Sequence, residues 1–359
     1  MTQRAEFAGV LAELGDASRP VPVSTLYRLS RLDADDLAAL EAAWPGLDPE
    51  RRLNLVERLN EIEEANFEAA FEPIFRLALD DAAGPVRAAA IRAMWESEDS
   101  RLVPQLLHFL RQDPAPEVRA AAASSLGGFV YLGEMEELPA VAAKRIVDAL
   151  LAVIGGGDEV DVRRRALEAV GYSGRPEVAP LIAAAYDSGE PRLRVSAVFA
   201  MGRTADARWA PQVRAELRSD QAEMRFEAAR AAGEMELPEA ARDLARLAKD
   251  EDEQVQEAAV WSLSQIGGDL ARATLERLAA EAEATDGEDY LAEALDNLAF
   301  NEEVRSFALF EFGQDEDERD DEESGELDDE FEDEAGELGD EDDDVFDDDD
   351  PPAGRSRLN

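Results

Sequence analysis

Six positions constrain this chain more than anything else in it. An apolar residue recurs at Val86, Val118, Val162, Leu193, Met224 and Val255, with spacings of 32, 44, 31, 31 and 31 residues. Arginine follows the first five (Arg87, Arg119, Arg163, Arg194, Arg225) and Gln256 the last. Four residues after each anchor stands alanine: Ala90, Ala122, Ala166, Ala197, Ala228 and Ala259. Eight after it stands Met94, Leu126, Val170, Met201, Ala232 or Leu263. Positions 0, 4 and 8 share one face of an α-helix. Eleven before each anchor is a further apolar residue: Phe75, Leu107, Leu151, Ile182, Val213 or Leu244. It belongs to a different helix, because an acidic turn intervenes, as at Asp80-Asp81, Asp113-Pro114, Asp187-Ser188-Gly189 and Asp250-Glu251-Asp252. Each unit is therefore helix, turn, helix. Neither helix buries its apolar face alone, so successive units must stack.

The fixed alanine lets paired helices approach closely. Gly127, Gly171, Gly202 and Gly233, each nine after its anchor, suit helix ends or close packing. No glycine-rich loop of the phosphate-cradling kind occurs. The run Asp113-Pro114-Ala115-Pro116-Glu117-Val118-Arg119-Ala120-Ala121-Ala122 carries the whole signature. It resembles the HEAT-like repeats also found in phycobilisome lyase-type proteins, and the resemblance covers roughly residues 67 to 300. It implies an all-α fold, a HEAT-like α-solenoid of stacked helical hairpins. It also implies that Arg87, Arg119, Arg163, Arg194 and Arg225 bridge turns and helices structurally. It says little about function, because fold does not dictate function.

Around the repeats the pattern loosens. Residues 1–66 read as an irregular N-terminal helical cap. Asp33 starts a helix reaching Trp44, with Asp35 and Asp36 in its first turn, Pro45-Gly46 breaks it, and a second helix follows from Pro49 to Glu64. The repeat solenoid spans 67–313. The 44-residue spacing marks an insertion over Gly128 to Ala140, which either lengthens a helix connection or decorates a binding edge. A seventh unit over Asp269 to Phe300 closes the far end, with its turn near Thr285-Asp286-Gly287. Residues 314–359 read as a disordered acidic tail. From Asp315 to Asp350 there are 25 acidic residues against Arg319 alone, half of the chain's net charge of −48. Blocks of like charge repel and stay solvated.

Several functions are disfavoured by residue type. A net charge of −48 with only two lysines, Lys144 and Lys249, argues against direct binding of nucleic acid, whose phosphates need Lys and Arg. Cysteine is absent, which removes disulfides, thiolate metal sites and cysteine nucleophiles. No run approaches the roughly 20 apolar residues of a membrane span. The start of the chain shows no secretory signal, so a cytoplasmic location is expected. The one histidine, His108, lies in a helix before a turn, without a nucleophile motif nearby. HEAT-type di-iron hydroxylases carry repeated His-Glu pairs, and this chain has none. These absences lead to the expectation of a protein that is not an enzyme and uses no metal and no cofactor.

The remaining expectation is a binding surface. If positions 0, 4 and 8 point inward, positions 2, 6 and 10 point to the concave groove that second helices usually line. That set includes Arg92 and Glu96, Ser124 and Gly128, Glu168 and Tyr172, Phe199 and Arg203, Arg230 and Glu234, Trp261 and Gln265, with Arg164, Val195 and Phe226 at the second position. Arg164, Tyr172, Phe199, Arg203, Phe226, Arg230 and Trp261 are the candidate partner-binding residues, since aromatics and arginine dominate interface hot spots. The leading functional expectation is a protein–protein interaction scaffold holding a partner segment in that groove. A lyase- or chaperone-like factor acting on a cofactor-bearing protein is one alternative. A charge mimic whose acidic tail sequesters a basic partner is the other.

Overall fold

The structure is a computed structural model and describes residues 2–282 and 290–304. Residues Met1–Glu303 form one compact unit. The acidic tail and the turn expected near Thr285 lie outside the described residues.

Every described element is helical. Helix α1 (Thr2–Gly15) and the short α2 (Val23–Tyr27) precede a first hairpin of α3 (Ala34–Ala43) and α4 (Pro49–Ala65). The caps follow from sequence: the Asp33 carboxylate accepts from the Asp36 amide at 2.8 Å, and Asp48 from the Glu50 amide at 2.9 Å. Five further hairpins follow: α5 (Glu72–Leu79) with α6 (Gly84–Ala93), α7 (Val103–Gln112) with α8 (Pro116–Glu134), α9 (Ala140–Ile154) with α10 (Val160–Ala169), α11 (Val178–Tyr186) with α12 (Pro191–Thr204), and α13 (Ala210–Glu216) with α14 (Ala222–Glu234). Helices α15 (Ala241–Leu247) and α16 (Glu253–Ile266) form the sixth, and α17 (Asp269–Ala282) precedes a last helix over 290–304.

The anchors Val86, Val118, Val162 and Val255 have no solvent exposure, and neither do the six alanines four residues on. Second helices pack mainly on second helices, in the order α4, α6, α8, α10, α12, α14, α16. The glycines nine after each anchor explain how. A Cβ on Gly127, Gly171, Gly202 or Gly233 would lie 3.2, 3.3, 2.8 or 2.9 Å from the Cα of Ala169, Ala200, Ala231 or Ser262. Each of those partners is the seventh residue after the next anchor. Of the two roles open to these glycines, the structure uses close packing.

The turn side is clamped by arginine. Arg87 donates through Nε and Nη2 to Asp113 at 2.9 and 2.7 Å, and through Nη1 to the Asp81 carbonyl of its own turn. Arg119 does the same to Asp158, and Arg225 to Asp250. Each aspartate also accepts a backbone N–H at the start of its own second helix: Ala115 on Asp113, Glu159 on Asp158, Asp252 on Asp250. One side chain thus caps its own unit and anchors the arginine of the unit before. Two expected bridges differ. Arg163 donates to the Ile154 carbonyl within its own unit, and Arg194 pairs with Glu216 on a first helix. Five residues before the anchor, where Asp81, Asp113 and Asp250 stand, the following turns have Ser188 and Ser219 instead.

Two features modify the sequence reading. The N-terminal hairpin shares the clamp, because Arg52 of α4 pairs with Asp81 at 2.7 Å, both side chains almost wholly buried. The insertion after Gly128 extends α8 by helix, ending in Met135 and a positive-φ Glu136. The Glu137 amide then reaches back to the Leu132 carbonyl at 2.9 Å, satisfying an orphan acceptor of the last turn.

Candidate binding surface on the second helices

The tenth position of α10's unit, the sixth and tenth of α12 and the second and sixth of α14 come together as an alternating array. The Arg203 guanidinium lies 5.1 Å from the Tyr172 ring centroid and 5.0 Å from that of Phe199. Arg230 lies 5.8 Å from Phe199 and 5.8 Å from Phe226. The order is Tyr172, Arg203, Phe199, Arg230, Phe226, ring and cation by turns. Each such contact is worth about 0.5–2 kcal/mol, more as water is excluded. Arg203 and Arg230 share one Glu234 carboxylate oxygen, each at 3.2 Å. At one end Tyr131 meets Tyr172 edge-on at 5.3 Å.

The other candidate residues fall around this array. Arg164 pairs with Asp161 and Glu168, and Glu168 also takes Arg165 and the Ser196 hydroxyl. Trp261 stands over Gly233, whose added Cβ would lie 2.7 Å from its ring, and stays 38% exposed. Val195 is the exception: it is buried, so the second position of α12 does not reach the surface. Arg203 is not a surface charge free to be reversed. A carboxylate in its place would face Glu234 and two rings.

Sequence spacing missed the residues of the extended α8 and the loop after α6. Trp95 is 62% exposed and Tyr131 47% exposed. With Arg92, Arg165 and the small residues of α8 they line a cleft of about 550 Å³ that adjoins Tyr172 and Phe199. The missing signal was positional: Trp95 sits nine after its anchor, where four later units have glycine.

Beneath the array lies a carboxyl group in an unfavourable place. Glu227 Oε2 is buried without a hydrogen-bond partner among the described residues. Burial raises its pKa from 4.5 to about 7, with Glu168, Glu234 and Glu223 adding to the rise against Arg230. A raised folded-state value means the fold holds this proton more tightly than the open chain does. The associated stability is complete below about pH 4.5, declines as pH rises, and is lost above about pH 7. Glu227→Gln should therefore stabilise the protein at pH 8 by up to about 3 kcal/mol and do little at pH 4.5. Urea melts of both proteins at the two pH values test this, and an equal effect at both would refute it.

Among the described residues no cluster of three acidic or histidine side chains could hold a metal ion, and no helix is long and apolar enough to cross a membrane. His108 is exposed beside Phe109.

Stacked two-helix units, small-residue seams and Asp–Arg clamps define an α-solenoid. The chain carries HEAT repeats, and the family model of that description matches residues 71–143 and 210–299. Solved structures are similar to this chain at low identity. The CpcE–CpcF complex of phycocyanin lyase from Nostoc sp. PCC7120 is 20% identical, covering 78% of this chain and 98% of that one, at a TM-score of 0.49. Human deoxyhypusine hydroxylase in complex with glycerol is 21% identical, covering 74% and 97%, at 0.33. An engineered protein is 23% identical, covering 55% and 97%, at 0.36. No curated protein sequence matches this chain significantly. The expectation that the chain is not an enzyme is corrected here. The solved structures similar to this chain include those of a phycocyanin lyase and a deoxyhypusine hydroxylase.

Proposed function

We propose that the chain is a protein-binding scaffold and that the outward face of its second helices holds a segment of a partner protein. The observation that carries this reading is the alternating array of Tyr172, Arg203, Phe199, Arg230 and Phe226. It sets aromatic and guanidinium groups, locked by mutual contact, on one face of a strongly acidic chain. Groups held rigid before binding lose little conformational entropy on binding, which favours affinity. Arg164 and Trp261 flank the array, Arg164 within the unit of Tyr172 and Trp261 in one further unit.

The test is site-specific photocrosslinking in cells. A benzophenone side chain at Trp261 on the proposed face, and another at His108 on a first helix, are compared in full-length protein. A discrete crosslinked species from position 261 and none from 108 is the expected result. Equal capture from both positions would remove the case for this face.

A further inference from the structure

The second-helix seam has one gap, and the gap has a charge pattern. From α8 onward the glycine nine after each anchor sinks onto the next second helix. In the α5/α6 unit that position is Trp95, which lies beyond the end of α6 at Ala93 and opposite Ser125 of α8. An indole cannot sink as a glycine does. It stands up from the surface, and the cleft of about 550 Å³ opens along α8 beside it. Along α8 most of the lining residues are small: Ala121, Ser124, Ser125, Gly127 and Gly128. A Cβ on Gly128 would meet nothing within 4 Å.

Charge divides at Trp95. The α8 cleft is lined by three cations, Arg92, Arg165 and Arg203, against one anion, Glu168, which pairs with Arg165, while Arg203 shares Glu234 with Arg230. On the other side of the indole is a second hollow of about 430 Å³, lined by Glu63, Glu64, Glu72 and Glu96 and by no cation. Phe67, almost wholly exposed, edges it. Trp95 lines both hollows. An extended segment crossing the indole therefore meets an acidic hollow, then aromatic surface, then a basic cleft.

We propose that these adjoining hollows bind a bipolar peptide segment of a partner protein. Its basic residues lie over Glu63 and Glu96, a large apolar side chain lies against Trp95 over the Gly128 floor, and its acidic residues lie against Arg92 and Arg165. This rests on the scaffold reading and places the partner's segment at the α4–α10 end of the same face. Aromatic rings supply contact area at low entropic cost, and opposed charges at the two ends set register.

The test is fluorescence anisotropy with full-length protein. The probe is a labelled octapeptide with two arginines at one end, a central Leu-Phe, and two glutamates at the other. Controls replace Leu-Phe with Ala-Ala, or make both ends basic, or both acidic. The bipolar probe should bind at least about tenfold more tightly than any control, since each decade needs only one well-filled apolar contact or charge pair. Gly128→Leu fills the cleft at a helical position open to a side chain, so it should keep or raise the parent's melting temperature and weaken the probe at least about tenfold. Arg92→Glu should weaken the bipolar probe and spare the all-basic one. An all-basic probe that binds as well as the bipolar one would mean only that the acidic chain attracts cations, and the proposal would fall. Unchanged binding in folded Gly128→Leu would likewise overturn it. Crosslinking from Trp261 separates the two readings: if it persists while the octapeptide fails, the scaffold stands and this inference does not.

Discussion

Asp81→Ala should be the most damaging single substitution in the N-terminal half. Asp81 accepts from Arg52 Nε at 2.7 Å and Nη2 at 3.0 Å, from the Trp44 indole N–H at 2.7 Å, and from the Ala83 amide at 2.8 Å. Removing it strands a buried guanidinium, an indole donor and a helix-start amide together. Breaking a buried ion pair by deleting one partner typically costs about 3–5 kcal/mol, because the survivor's charge has no water. That is a large share of the 5–15 kcal/mol that ordinarily separates folded from unfolded chains. Asp81→Asn keeps one acceptor and should fall between parent and alanine. Urea unfolding followed by circular dichroism reads all three. Burial pushes the Asp81 carboxyl up, but its bonds to Arg52, Ala83 and Trp44 outweigh that and hold it below the ordinary 3.8. Its contribution is thus present at neutral pH and is lost as pH falls through the lowered value. A loss in Asp81→Ala no larger than that of an exposed pair, about 0.5 kcal/mol, would show that Arg52 relaxes to solvent.

Gly202→Ala and Gly128→Ala should shift stability in opposite directions. Both glycines lie inside helices, α12 and α8, so the gain in helix propensity is common to both, about 0.5–1 kcal/mol. At Gly128 nothing opposes it. At Gly202 the added Cβ would come within 2.8 Å of the Ala231 Cα and 2.7 Å of Glu234 Oε2. The carboxylate can swing away, but the backbone of α14 cannot without parting the two units. Overpacking of that kind costs about 1–3 kcal/mol, so the net effect at Gly202 should be destabilising. Thermal melts of the two variants decide it. A Gly202→Ala protein as stable as Gly128→Ala would mean the second helices can slide apart freely.

The repeat was legible because its periodicity is steric. Val86, Ala90 and their equivalents recur on one helical face, and no other arrangement buries them. The aspartate–arginine clamp was legible as a rule but not in its exceptions. Those exceptions were written at Ser188 and Ser219, where a hydroxyl replaces the carboxylate that a preceding arginine needs. Arg52 could have been found too, since it precedes Leu55 by three residues as Arg87 precedes Ala90. The candidate face was legible through the sixth and tenth positions, and the array joins five of the seven residues named. What spacing could not give is that two arginines share the Glu234 carboxylate, because that depends on contacts between units. The cleft was illegible for a related reason. It arises from a residue that fails to fit the repeat, Trp95, and from a helix that outruns it, α8.

The two missing aspartates give the stack an uneven stiffness. Ser188 stands at the turn of α11/α12 and leaves Arg163 without a carboxylate in that unit, whereas beside Ser219, at the turn of α13/α14, Glu216 takes over the latch for Arg194. On the opposite side the same hairpins are joined by Phe199, Arg203 and Arg230. The arrangement is that of a book bound along one edge with its clasp left undone: the pages hold at the spine and part at the fore-edge. Amide hydrogens of α11 should then exchange sooner than those of α7 and α9, whose turns are latched. Compliance would be concentrated beside the aromatic spine, letting the middle units shift while the seam keeps its spacing.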